Sequence, residues 1–191
     1  MKTLYSTLLL LIFGGVFLMA DEKNRLLFNF DSPAIEKTWV TVNDNVMGGV
    51  SDGNFKITNE KALFFYGNLS LENNGGFASV RSIPTKLALK KNDSILFQAK
   101  GDGREYTINL YTNKRLTAFS YRQAFQTKKG EWLDLSFPLS KFVATSFGRN
   151  IPNSPPVNSE EIESIGFMLG DKKSGTFEIT FKNITIRQGS E

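Results

Sequence analysis

The chain of 191 residues contains neither cysteine nor histidine. The first absence excludes disulfides and thiolate nucleophiles. The second excludes imidazole bases, Ser–His and Cys–His nucleophile pairs, and histidine metal ligands. Any enzyme built on this sequence would have to work with carboxylates, Tyr, Lys or Arg. Charge of one sign is lacking too: 23 basic residues face 19 acidic ones, and only the short pairs Lys90-Lys91, Lys128-Lys129 and Lys172-Lys173 stand together. A nucleic-acid surface wants a basic stripe interleaved with aromatics. None is evident along the chain, so no nucleic-acid partner is expected.

Long apolar runs are missing beyond the first twenty residues, MKTLYSTLLLLIFGGVFLMA. That stretch carries one side-chain charge, at Lys2, then a mostly aliphatic run and the small Ala20, which is the order of a secretory signal. It predicts export to a periplasmic or extracellular space, with residues 1–20 as the signal and 21–191 as one domain not inserted in the membrane. The alternative is a membrane tether by an uncleaved amino-terminal segment, since the uncharged run is close to the length of a span; a mitochondrial transit peptide is disfavoured, because those are Arg-rich and amphipathic and this stretch has no Arg. A domain of this size buries roughly 70% of its unfolded surface. With no disulfide to help, its hydrophobic core has to hold the fold alone.

What the chain does have is alternation. In GTFEITFKNITIR, Phe177, Ile179 and Phe181 alternate with Glu178, Thr180 and Lys182; in DSILFQAKGDG, Ile95, Phe97 and Ala99 share one side. Period two marks strands with one buried face. Similar runs occupy 26–30, 38–42, 62–65, 77–81, 106–112, 118–125, 132–137 and 165–169. Between them fall turn signals: Asp-Gly at 52–53 and 102–103, Asn73-Asn74-Gly75-Gly76, and Lys128-Lys129-Gly130. Only 158–164 predicts a helical turn, with Asn158 or Ser159 placed to cap it. About ten short strands at this spacing predict an all-β sandwich or barrel, and the seventeen Phe are expected to be mostly two-sheet core. Trp39 and Trp132 lie in strand-like runs and are expected inside, whereas Tyr66, Tyr106, Tyr111 and Tyr121 are freer to meet a ligand. Segment 148–158, with three prolines, reads as a surface loop.

Polar residues gather in five places: NDNVMGG (43–49), NNGGFASVR (73–81), GDGREY (101–106), SYRQAF (120–125) and FGRN (147–150). Turn chemistry accounts for the amides and glycines. It does not account for Arg81, Arg104, Arg122 and Arg149, whose planar forks suit carboxylates or tie loops together. The candidate ligand-binding residues are therefore Asp44, Asn45, Asn74, Arg81, Asp102, Arg104, Tyr106, Tyr121, Arg122 and Arg149. The alternative is a purely structural Arg–Asp network through Asp44 or Asp102. Asp44, Asn45 and Asp52 are of the type that braces a calcium ion, but no regular acidic spacing supports one, and no metal or cofactor is expected. Catalysis would need a Tyr–Arg lyase site in 103–106 or 120–122, or a hydrolytic pair among Asp44, Asp52, Glu72, Asp102 and Asp171. No residue is assigned a catalytic role.

Taken together and in order, TWVTVNDNVMGGVSDGNF, LFFYGNLSLENNGGFASVR, GDGREYTINLYT, SYRQAFQTKKGEWLDLSFPLSKF, SFGRNIP and EIESIGFMLGDKKSGTFEITFKNITI resemble the complex I intermediate-associated protein family. The resemblance runs from about Leu26 to Arg187. It implies a galactose-binding-domain-like jelly roll, in agreement with the strand count. It also implies a non-catalytic binding protein with a chaperone-like or assembly role toward a protein partner. The alternative function is an exported carbohydrate-binding module whose polar patch holds a glycan; a concave face lined by Tyr106, Tyr121 and an exposed Trp would favour it. NDNVMGG is expected to pack with GDGREY and SYR at one end or face of the sandwich.

Overall fold

The computed structural model describes residues 24–112 and 118–189; the leader expected at 1–20 lies outside them. Thirteen strands follow in chain order: β1 (Asn24–Phe28), β2 (Trp39–Thr41), β3 (Asp52–Ile57), β4 (Leu63–Leu69), β5 (Ala78–Ser82), β6 (Ser94–Gly101) and β7 (Glu105–Thr112), then β8 (Phe119–Gln126), β9 (Trp132–Pro138), β10 (Val143–Ser146), β11 (Arg149–Asn150), β12 (Ile162–Leu169) and β13 (Gly175–Arg187). One sheet has the order β3-β4-β13-β6-β9, with β1 also on β13; the other runs β11-β10-β8-β7-β12-β5-β2. Every strand pair in both is antiparallel. The chain is an all-β, galactose-binding-like sandwich.

The alternation read along β13 explains how it serves as the central strand of its sheet. Phe177, Ile179 and Phe181 are buried, and then the parity changes so that Ile184 and Ile186 are the buried pair. The switch falls where the register with β6 shifts, between Lys182 and Thr185, and Asn183 takes φ 53°. A bulge adds one residue to one strand and thereby moves the next side chains to the other face. Four residues of β13 beyond β4's reach then pair with β1.

Phenylalanines join the two sheets. Phe97 on β6 meets Phe125, Phe137, Phe167 and Phe181 at ring-centroid distances between 5.0 and 5.8 Å. Phe167 of one sheet stacks on Phe181 of the other at 3.7 Å. Each such ring stabilises the fold by roughly 1.5–3 kcal/mol through burial. Trp39 is buried as expected, against Phe28 and Phe167.

Three expectations need correction. Asp52-Gly53 starts β3 and is not a turn; Gly53 faces Gly67 in register, where a Cβ on Gly67 would run into the Asp52 carbonyl and one on Gly53 into the Asn43 and Ala78 side chains. β10 and β11, which carry little alternation over so few residues, were not foreseen. Trp132 is exposed on edge strand β9, under the ammonium groups of Lys182 (5.0 Å) and Lys100 (6.0 Å). It ends a cross-strand row, Lys56–Phe64–Thr180–Lys100–Trp132, that interleaves lysine with aromatic rings in a way the linear sequence hides. The row is partly neutralised, because Lys182 beside it pairs with Glu60 at 3.7 Å. Segment 158–164 forms only the single 3-10 turn Ser159–Glu161, capped by the Asn158 side chain.

Candidate functional site

NDNVMGG forms a 3-10 turn, Asp44–Met47, closed by Gly48 in the left-handed region at φ 91°. Asp44 is fully buried. Its carboxylate accepts from the Ser51 backbone N–H (2.9 Å), the Ser51 hydroxyl (2.6 Å), the Gly76 N–H (2.6 Å) and the Phe77 N–H (3.2 Å). The loop thus folds around an anion, and two glycines make room for it: a Cβ on Gly49 or Gly75 would run into the Asp44 carboxylate. Burial pushes the Asp44 carboxyl up, but the Ser51 hydroxyl and the Gly76, Ser51 and Phe77 N–H groups outweigh it and hold the group below the ordinary carboxylate value. The carboxylate thus already accepts from four donors of its own chain, three on Oδ2 and one on Oδ1. Among the described residues no cluster of three or more metal-ligating acids exists.

GDGREY builds a second tie. The Arg104 fork meets Asp171 with two bonds, Nε to Oδ2 at 3.0 Å and Nη2 to Oδ1 at 2.7 Å. It also donates to the carbonyls of Lys173, Gly175 and Thr176. Asp102 accepts from the Arg104 and Glu178 N–H groups and from the Tyr106 hydroxyl. Burial, then the Asp102 carboxylate, push the Tyr106 phenol far above its usual value. Tyr106 is fully buried and Tyr121 nearly so, both in the core. Neither lines a concave sugar-binding face, and their expected place in a ligand site is corrected.

The two ties share one end of the sandwich. Gly170, which precedes Asp171, lies against Gly76 and Phe77, the residues that bind Asp44. Arg122 is elsewhere: it sits mid-strand on β8, opposite Asn109, and donates to the Gly148 carbonyl at 2.7 Å. The expected meeting of the three motifs therefore holds for the first two only. Arg81 faces outward from β5, with Nε on the Ser79 hydroxyl and the guanidinium 4.5 Å from the centre of the Tyr111 ring. Asn45, Asn74 and Arg149 are exposed, Asn74 at φ 60° in the turn after β4 and Arg149 opposite Ser146 on the short β10–β11 pair.

Sequence reasoning missed Ser51 and Asn109 at these positions, named Tyr111 only as a tyrosine freer to meet a ligand and not as the ring under Arg81, and left Asp171 without a partner. Ser51 had a local signal, a hydroxyl seven residues from a buried acid. Asp171 had none, because 67 residues separate it from Arg104.

The model of the family described as Complex I intermediate-associated protein 30 matches residues 28–181. Among curated proteins, the chain is similar to "Complex I intermediate-associated protein 30, mitochondrial" of Mus musculus, 27% identical over 185 residues that cover 84% of this chain and 56% of the relative. The protein of the same name in Drosophila melanogaster is 23% identical over 168 residues, covering 78% of this chain and 57% of the relative. The chain spans about half the length of these relatives. Among solved structures it is similar to a family 11 carbohydrate-binding module from Clostridium thermocellum in complex with a mixed-linked tetrasaccharide, with TM-score 0.68, 17% identity, and 88% of this chain and 97% of that one covered. That likeness is one of fold. The relatives' mitochondrial names overturn the expectation of export and point to mitochondria instead. Hydropathy at the amino terminus misled because a short basic start and an apolar run describe composition only. Among the described residues, no helix is long and apolar enough to cross a membrane.

Proposed function

Because this chain belongs to the Complex I intermediate-associated protein 30 family, we propose that it is a non-catalytic, assembly-factor-like protein that docks on a protein partner, an assembly intermediate of complex I. The contact is made by the Asp44-pinned loop. One observation carries this reading: the loop's backbone is fixed around a buried anion, yet its apolar side chains point to solvent. Val46 is 68% exposed, Met47 53%, Val50 50%, and the adjacent Leu71 45%. Exposed apolar side chains on a mobile loop would lose entropy on binding; on a loop already fixed, most of that cost is met in folding. Grouped apolar exposure of this kind marks interaction surfaces, and methionine adapts its shape to a partner's cleft.

Site-specific photo-crosslinking tests it. A photoreactive residue at position 47 should join the protein to a complex I subunit in mitochondria, and one at position 134, on the opposite edge strand β9, should not. Met47→Glu should abolish partner recovery with the melting temperature unchanged. Equal crosslinking from both positions, or full recovery with Met47→Glu, would exclude the loop as the docking element.

A further inference from the structure

On the outward face of the seven-stranded sheet, one cross-strand row reads Val40, Arg81, Gly166, Asn109, Arg122, Val143. Its chemistry is symmetric: apolar at both ends, cationic next, neutral in the middle. Val40 and Val143 are each 43% exposed. Among the described residues, Arg81 donates from Nε, to Ser79, and Arg122 from one Nη, to Gly148. A guanidinium has five N–H donors, so most of each fork is unused. Among the described residues neither arginine has a carboxylate within ion-pair distance. The neighbouring positions on this face carry the buried hydroxyls of Ser79, Ser120, Thr145 and Ser164, a thioether and an alanine methyl, and among the described residues no acid.

Gly166 shapes the row. A Cβ there would lie 2.9 Å from the Arg81 Cγ and 3.2 Å from the Tyr111 Cε2, so its absence lets the Arg81 chain lie across β12 and stack on Tyr111. Stacking holds the guanidinium plane and leaves its Nη edge free for an anion. It also caps the Tyr111 ring, so this row presents no bare aromatic face of the kind that sugars or nucleobases stack on.

We propose that this row binds an extended acidic segment of a protein partner, with two carboxylates four residues apart, one on Arg81 and one on Arg122. The proposal rests on the protein-partner reading above and specifies the partner's chemistry. Three strand spacings separate the arginines, about 14 Å; an extended chain advances about 3.4 Å per residue and returns to the same side every second residue. Residues i and i+4 therefore fall on one side at about 13.5 Å. Apolar side chains two residues outside each acid then reach Val40 and Val143.

Fluorescence anisotropy of the full chain with a labelled, valine- and threonine-rich peptide carrying Asp at i and i+4 tests this directly. Replacing either peptide Asp with Asn should weaken binding about tenfold, the loss of one charge-assisted pair. Arg81→Gln and Arg122→Gln should each do the same, and raising salt from about 50 to about 300 mM should weaken binding further. A peptide with acids at i and i+3, which point to opposite sides, should bind no better than the Asn control. Equal binding of Asp and Asn peptides, or of both spacings, overturns the proposal. So does binding of an oligouronate through the same two arginines while the peptide stays free, which would assign the row to an acidic glycan. Met47→Glu should leave peptide affinity unchanged, so failure here is distinguishable from failure of the docking loop.

Discussion

At the end of the sandwich, the Asp44 carboxylate is fully buried and takes four hydrogen bonds from its own chain. On the seven-stranded face, Arg81 is half-buried and gives one. Both lie in motifs of the same look, an ionic residue near glycine and asparagine. The difference is saturation. A buried charge is tolerable when it is well hydrogen-bonded, so Asp44, bonded four times within its own chain, has much to lose on substitution. A half-exposed guanidinium is kept solvated by water, which leaves its donors exchangeable for a partner's oxygens. The Arg104–Asp171 pair belongs with Asp44: side-chain exposures of 13% and 5% place it out of solvent, and its fork is fully engaged.

The contrast is broken first at Asp44. Asp44→Ala leaves buried N–H groups of Ser51, Gly76 and Phe77 without an acceptor and should destabilise the fold by on the order of 4 kcal/mol. That corresponds to a fall in Tm of roughly 10 °C for a chain of this size, and calorimetry checks it. A loss no larger than that of Arg81→Gln would remove the distinction.

Acid provides the second and smaller test. Asp44 and Asp171 both titrate below the ordinary carboxylate value in the folded chain, each because hydrogen-bond donors, and for Asp171 the Arg104 charge, outweigh the upward push of burial. Their contribution is therefore complete above the unfolded carboxylate pKa of about 3.9 and is lost as pH falls through the lower folded values. Urea unfolding at a series of pH values should show stability dropping below about pH 4, with a shallower drop in Asp44→Asn.

The smallest effect is expected at Arg81. Arg81→Gln removes a stacked cation at a half-exposed site, a change of under about 1 kcal/mol. Its Tm should stay near that of the parent chain. A large loss would move Arg81 into the structural class with Arg104.

Much of the scaffold was legible beforehand. Phe177, Ile179 and Phe181 declared β13, Trp39 declared its own burial, and the count of alternating runs led to a sandwich. Trp132 shows the limit: its run looks like any half-buried strand, and only its place on the edge strand β9 leaves the ring outside. Tyr106 and Tyr121 were read as freer to meet a ligand, but on β7 and β8 they occupy inward positions of the alternation. The candidate site was legible as residue types and not as geometry. Ten residues were named as one group, and the fold distributes them among a buried knot, a buried fork, the core, two exposed turns and a sheet face.

The sequence by itself determined that the protein is all-β, that phenylalanine fills the space between two sheets, and that NDNVMGG is a structured loop. These follow from period-two alternation and turn chemistry, which act over a few neighbouring residues. Only the tertiary structure decided that Arg104 is tied to Asp171 while Arg81 and Arg122 face outward on either side of Gly166 and Asn109. Strand order and register set those relations between residues tens of positions apart, and no local pattern encodes them.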